Sequence, residues 1–201
     1  MLNTPDNETI GAWFAFSDPY YLSLPSIPTN PAEHVTPALK RSPVILFLHG
    51  NAATRAFSSR IHHIKAFSSR LGANVLIIDY RGFGDSSGTP SEAGLVTDAR
   101  TAFDWLLSHG TKSEDILIIG HSLGTGVSGQ LGAQFANEGI NCRGIVLLSV
   151  MALPPHFRQL SYVYTAIQQY RTVAERLQYV WLHPIDQANI GPSRCCWLVC
   201  S

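Results

Sequence analysis

The residues with the clearest chemical potential are five consecutive positions near the middle of the chain, Gly120-His121-Ser122-Leu123-Gly124. They form a Gly-x-Ser-x-Gly pattern, with an apolar run at 116–119 before it and a helix-length segment after it. In a sharp turn from strand to helix a central serine projects its hydroxyl, and the glycines two positions away relieve the crowding. The pattern predicts that Ser122 is a nucleophile that attacks a carbonyl carbon. The alternative is a glycine-rich turn with an incidental serine.

An attacking serine also needs N–H donors for the oxyanion that forms. The predicted helix after Ser122 begins with Leu123, whose backbone N–H is the first candidate donor at the positive end of the helix dipole. The second should come from the loop after an apolar run at 44–48, where Gly50 permits a turn that brings the Asn51 N–H toward the serine. Asn51 is therefore a candidate for its backbone, not for its side-chain amide.

A serine nucleophile normally works with an acid and a histidine that follow it in the order Ser, acid, His. Asp186 is the only Asp after Ser122, and no His follows it. Glu175 and His183 keep the order, but both fall in or beside one predicted helix, with no strand ends to aim them. His156 is interpreted as a residue at the site entrance or as an exposed loop imidazole. The acid and the base are not identifiable, so the activity of this chain stays open.

Two other polar groups are interpreted as structural. His49 precedes the proposed oxyanion loop, and we favour support of that loop over catalysis because the catalytic imidazole is expected later in the chain. A glycine-rich turn follows the second apolar run, but its glycines do not match the dinucleotide-binding spacing and no helix opens at once. Its charged residues are expected to fix the turn by ion pairs and hydrogen bonds; they are Asp79, Arg81 and Asp85.

Short apolar segments alternate with helix-length segments, which predicts an α/β fold with a mostly parallel sheet. The predicted buried strands are 44–49, 75–80, 116–121 and 144–149, and the crossover helices are 55–71, 92–109 and 123–137. An antiparallel edge strand at 9–16 precedes them, and a helix at 162–182 is a candidate cap over the site.

Composition limits the class of protein. A chain of 201 residues with 45% hydrophobic residues predicts one domain, residues 1–201. The 14 basic residues balance the 14 acidic ones, which argues against nucleic acid as a partner. No metal or cofactor is implied, because no His, Cys, Asp or Glu set has ligand spacing. The sequence carries neither a signal peptide nor a membrane span, so an intracellular location is expected, with peripheral membrane contact left open. It does not indicate an oligomeric state.

Cysteine use is uneven along the chain. Cys142 is interpreted as a small buried residue in a reducing compartment, whereas Cys195, Cys196 and Cys200 crowd the last seven residues. The tail at 188–201 is atypical and is expected to form no element of the fold. A palmitoylated anchor is the competing interpretation of this cluster, although it lacks a CaaX arrangement.

Four segments together resemble the α/β-hydrolase domain-containing lipases of the lysophosphatidylserine lipase and monoacylglycerol lipase type. The resemblance covers about residues 9–187 and implies an α/β-hydrolase fold and hydrolysis of acyl esters of glycerol or lysophospholipid. By this resemblance Ser122 matches the nucleophile, and the Asn51 and Leu123 amides match the oxyanion donors. The segments are Leu48-His49-Gly50-Asn51-Ala52, Asp79-Tyr80-Arg81-Gly82, Gly88-Thr89-Pro90-Ser91-Glu92 and Gly120-His121-Ser122-Leu123-Gly124-Thr125-Gly126.

The chain departs from these lipases after the strand at 144–149, where they have two further strands that carry the acid and the histidine. We therefore expect a C-terminally truncated version of the fold, with its last strands missing and the strand at 144–149 left as an apolar edge. Such a chain would be nearly inert, because loss of the histidine costs roughly 10⁶-fold in kcat. The alternative function is a non-catalytic protein of this fold that binds acyl ligands or a partner.

Overall fold

The computed structural model describes residues 1–148 and, as a backbone strand, residues 197–200. Within these ranges two short 3₁₀ helices, at Pro31–His34 and Ser113–Asp115, accompany the α-helices and strands. The strands are β1 (Leu2–Asn3), β2 (Thr9–Ile10), β3 (Ala12–Ala15), β4 (Val44–Leu48), β5 (Asn74–Ile78), β6 (Ile116–His121), β7 (Gly144–Leu148) and β8 (Trp197–Cys200). The helices are α1 (Asp18–Tyr21), α2 (Val35–Arg41), α3 (Ser58–Arg70), α4 (Glu92–Ser108) and α5 (Leu123–Glu138).

A six-stranded sheet organises the described residues, with strand order β3-β5-β4-β6-β7-β8. Only β3 runs antiparallel; all other neighbours are parallel. Strand β5 pairs with one side of β4 and strand β6 with the other, so β4 and β6 are neighbours although β5 lies between them in sequence. Their carboxyl ends therefore meet at one edge of the sheet, which is where open α/β sheets place their sites.

Strands β4 and β5 are buried along their whole length, as expected for strands covered on both faces. Alternate side chains pack into two cores. On one face Leu46 and Ile118 pack with residues of α2, α4 and α5. On the other, Phe47 and Ile77 pack with Ile64 and Phe67 of α3. Helix α4 is capped at its start by the Ser91 hydroxyl, which accepts from the Gly94 N–H at 3.1 Å.

The four strands predicted at 44–49, 75–80, 116–121 and 144–149 are confirmed to within two residues at each end, as are the helices at 92–109 and 123–137. The helix predicted to start at residue 55 starts three residues later, at Ser58. No helix within the described residues is long and apolar enough to cross a membrane. The cap helix predicted at 162–182 lies outside the described residues.

The predicted edge strand at 9–16 is present but divided. Thr9–Ile10 pairs with β1, whereas Ala12–Ala15 pairs antiparallel with β5. The division falls at Gly11, where the side chains of Arg55 and Asp85 occupy the space that a Cβ would need. The chain changes partner at the one residue of this segment that has no side chain.

The expectation that the tail contributes no element is wrong. Trp197–Cys200 forms β8, which pairs in parallel with β7 from Ile145↔Trp197 to Leu148↔Cys200. Strand β7 is therefore not an edge strand. Two of its four residues, Trp197 and Val199, are of types that favour strands, although the interpretation of the tail rested on its cysteines.

Candidate active site

Ser122 occupies the turn between β6 and α5 with φ 51° and ψ −113°. A positive φ is unfavourable for any residue other than glycine, and such strain persists only where the surroundings enforce it. Three hydrogen bonds do so here. The Ser122 N–H donates to the Leu148 carbonyl at 3.0 Å, and its carbonyl accepts from the backbone N–H and hydroxyl of Thr125 at 2.9 and 2.6 Å. The serine side chain is half-buried and caps no helix N–H, so its hydroxyl is not used by the turn.

The glycines on either side of Ser122 are required by packing. A Cβ on Gly124 would collide with the carbonyl of Leu48 on the neighbouring strand, and one on Gly120 would collide with the Gly124 carbonyl and the Ser128 hydroxyl. The first turn of α5 therefore lies directly against β4. The Gly-x-Ser-x-Gly pattern is explained here by steric contacts on both sides of the serine.

The predicted oxyanion donors lie on the two segments that flank Ser122. Leu123 is the first residue of α5, and Asn51 lies in the loop at 49–57 that joins β4 to α3. Gly50 is buried between them: a Cβ on it would lie 3.1 Å from the Ser122 Cβ and 3.2 Å from the His121 Nδ1. The structure thus places Gly50 beside the serine, and the role of the Asn51 N–H stays a prediction.

The loop after β4 has an unusual backbone. Ala52 and Ala53 both have positive φ, 59° and 55°, although neither is glycine. Arg60 of α3 lies inside the loop, where only 5% of its surface is exposed, and it donates to four of the loop's carbonyls. The acceptors are Gly50 (2.8 Å), Asn51 (3.4 Å), Ala52 (2.6 Å) and Thr54 (2.6 Å).

His49 is fully buried, and its Nδ1 lies 2.7 Å from the Gly50 carbonyl. A carbonyl only accepts, so the Nδ1 carries the hydrogen. The opposite ring nitrogen lies 3.3 Å from the Asp79 carboxylate. These contacts agree with the expectation that His49 supports the loop.

Asp79 and its neighbours form the ion pairs that the sequence predicted for the glycine-rich turn. The Asp79 carboxylate accepts from the Arg55 backbone and guanidinium, both at 2.5 Å, and Arg55 also binds Asp85 at 2.6 Å. Burial alone would raise the pKa of Asp79, but the neighbouring His49 imidazole and the bonds from Arg55 outweigh that effect and leave the pKa lowered. Arg81 pairs with Asp98 at 2.8 Å, so all three predicted residues fix the turn.

Two further imidazoles, which the sequence did not single out, lie beside the turn between β6 and α5 that carries Ser122, called the elbow below. The rings of His63 and His121 are 6.0 Å apart, and His63 also contacts Phe47 edge-on and stacks on Phe67. Burial lowers the pKa of both histidines, and each is further lowered by a neighbouring histidine. Nothing in the sequence distinguishes His63 as a site residue, because a histidine fits an exposed helix face as well as a buried one.

The remaining candidates for the acid and the base fall outside the described residues; they are Glu175, Asp186, His156 and His183. The site within 1–148 therefore consists of Ser122 and the loop that follows β4. This arrangement can present a serine hydroxyl to an ester carbonyl and stabilise the charge that develops on the carbonyl oxygen.

The fold and this elbow define a family. The family model described as alpha/beta hydrolase fold matches residues 43–179, and the chain belongs to that family. Within the residues that the structure describes, β8 lies where the sheet continues past β7.

Curated relatives match over the same region. The chain is 39% identical over 130 residues to the lysophosphatidylserine lipase ABHD12 of Rattus norvegicus, which is 65% of this chain and 32% of the relative. It is 51% identical over 89 residues to the Gallus gallus protein of the same name, 44% of this chain and 23% of that one. Human Protein ABHD12B is 42% identical over 106 residues, 53% of this chain and 29% of the relative. The chain spans about a third or less of the length of these relatives.

Solved structures agree on the fold. Est1E from Butyrivibrio proteoclasticus, with ferulic acid bound, superposes with a TM-score of 0.59 at 17% identity, covering 79% of this chain and 56% of that one. The esterase Pf2001 of Pyrococcus furiosus gives 0.53 at 18% identity, covering 81% and 59%. At these identities the likeness establishes the fold alone.

Proposed function

We propose that this chain, as a single domain, is a serine hydrolase of carboxylic esters, with monoacylglycerols or lysophospholipids as the substrate class. Ser122 is the nucleophile, and the backbone N–H groups of Asn51 and Leu123 stabilise the oxyanion. The observation that carries the proposal is the strained backbone of Ser122, held at φ 51° with its hydroxyl unused by the turn. Strain of this kind is retained at functional sites because the surrounding structure enforces it.

The reaction follows from this geometry. The Ser122 Oγ attacks the acyl carbonyl carbon while its proton passes to a base, which the described residues do not identify. The tetrahedral intermediate then collapses, the ester C–O bond breaks and the alcohol leaves with a proton. Water attacks the acyl-serine, releasing the carboxylic acid and restoring the hydroxyl.

The substrate class is supported by the names of the relatives, which are called lysophosphatidylserine lipases. Long-chain acyl esters of this type reside in membranes. The proposal therefore includes peripheral contact with a lipid surface during the reaction.

The second candidate is a non-catalytic member of the family that binds acyl ligands or a partner. It is favoured by the absence of an identifiable acid and base for Ser122 in residues 1–148. The two functions differ in turnover: an enzyme releases fatty acid from its ester, whereas a binding protein retains it intact.

Turnover can be measured on the purified chain with three esters: a monoacylglycerol, a lysophosphatidylserine and a short-chain nitrophenyl ester. The proposal predicts fatty-acid release that is lost in S122A and retained in S108A, an exposed serine at the end of α4. Saturable binding of an acyl chain without release, by folded protein, would favour the second candidate. Release that persists in S122A would contradict Ser122 as the nucleophile.

A further inference from the structure

The Gly50–Asn51 peptide is held from one side by two buried donors. The Gly50 carbonyl accepts from the Arg60 Nη2 at 2.8 Å and from the His49 Nδ1 at 2.7 Å. A carbonyl oxygen has two lone pairs, so both of its acceptor positions are used. The orientation of this peptide is therefore fixed by side chains that themselves lie in the protein interior.

This orientation determines where the Asn51 N–H points. In a planar trans peptide the carbonyl of one residue and the N–H of the next point in opposite directions. With the Gly50 carbonyl turned toward Arg60, the Asn51 N–H is turned away from it. A Cβ on Gly50 would lie 3.1 Å from the Ser122 Cβ, so this peptide borders the nucleophile.

The loop that follows this peptide has an unfavourable backbone conformation. Ala52 and Ala53 both have a positive φ, which is unfavourable for alanine, and Arg60 is the group that bonds the carbonyls around them. Arg60 is buried, with 5% of its surface exposed, and burial lowers its pKa. A guanidinium has so high a pKa to begin with that Arg60 stays charged. Charged donors to neutral carbonyls form hydrogen bonds about twice as strong as neutral ones.

We infer that Arg60 is a positioning residue: it fixes the loop at 50–54 so that the Asn51 N–H is preorganised as the oxyanion donor for Ser122. This inference rests on the proposed function for its catalytic consequence, but not for its structural content. Arg60 contacts no reacting atom and acts only through the loop. A planar guanidinium reaches four carbonyls at once, which a lysine ammonium cannot do with the same geometry.

The test compares wild type, R60Q, R60K and R70Q by two measurements. Arg70 is exposed at the other end of the same helix, so R70Q is the matched control. Amide hydrogen exchange of the 49–57 segment is the first measurement and needs no activity. The rate of Ser122 phosphonylation by a fluorophosphonate probe, resolved into kinact and KI, is the second.

For R60Q we expect faster exchange at 50–54 with unchanged protection of β4 and β6. We also expect kinact to fall by at least about 10-fold, up to the about 100-fold that removal of an oxyanion donor costs, with KI unchanged. R60K should lie between R60Q and wild type, and R70Q should match wild type. Loss of protection throughout the sheet would mark a general folding role and overturn the inference.

Unchanged exchange in R60Q would overturn the inference directly, and faster exchange with an unchanged kinact would overturn its catalytic part. If the wild-type chain is not phosphonylated at all, the proposed function fails. The exchange measurement then still decides whether Arg60 fixes the loop.

Discussion

Gly124 lies against the backbone of Leu48 so closely that any side chain on it would collide with the Leu48 carbonyl. The atom in the way belongs to the backbone at the end of the buried strand β4, so it cannot move aside as the end of a flexible side chain could. We therefore expect G124A to lower the free energy of unfolding by more than about 2 kcal/mol, in the upper range of overpacking costs. Urea denaturation followed by circular dichroism measures this.

Gly126 provides the control, since it lies on the same helix but a Cβ on it meets nothing within 4 Å. Alanine has the higher helix propensity, so G126A should stabilise the protein by about 0.5–1 kcal/mol. Equal effects of the two substitutions would show that the elbow is not closely packed on β4.

Arg81 links the N-terminal segment to α4 by two ion pairs. Its removal would leave the buried Asp98 carboxylate without its charged partner. Its guanidinium binds Asp98, which is fully buried, and also Asp6, which is half-exposed. Burial raises the pKa of Asp98 in spite of Arg81. We expect R81Q to cost about 3 kcal/mol of stability, because it strands a buried charge. Thermal or urea unfolding at pH 7 measures the loss.

D6N is the matched comparison, because it removes only the exposed partner of Arg81. Its effect should be far smaller than that of R81Q, since exposed pairs contribute little. If D6N is as damaging as R81Q, the exposed pair and not the buried one stabilises this part of the chain.

The half-buried imidazole of His63 should make stability depend on pH. Burial lowers the pKa of His63 and of its neighbour His121, so the unfolded chain binds protons more tightly than the folded one. The free energy of unfolding should therefore fall as the pH drops below the ordinary histidine value of about 6.5. In H63F this slope should be shallower, as measured by urea denaturation at pH 7.5 and 5.5. A stability that rises on acidification, or an unchanged slope in H63F, would contradict the assignment.

The sequence predicted the sheet well because its strands are continuous apolar runs and its helices have apolar faces. Ser122, Asn51 and Leu123 could be placed for the same reason: the elbow motif ties a local pattern to the ends of particular strands. His49 could be interpreted as structural because the catalytic imidazole is expected later in the chain, and Asp79 because its glycine-rich turn lacks the dinucleotide-binding spacing.

Other features had no local signal. Arg60 resembles an exposed charge at the start of a helix, and only the folded loop shows that it lies among four carbonyls. The pairing of β8 with β7 joins residues about 50 positions apart, across a segment whose pattern predicted no strand. Long-range pairing of this kind depends on the fold and not on neighbours in sequence.

The central claim is that Ser122 is a reactive nucleophile beside a formed oxyanion loop. It is tested most directly by exposing the folded chain to an alkyl fluorophosphonate and locating the adduct by mass spectrometry. The serine Oγ forms a bond to phosphorus, and fluoride leaves. We predict one adduct per chain on the peptide that contains Ser122, absent in S122A and after denaturation. A folded wild-type chain without an adduct, or an adduct on another residue, would contradict the claim.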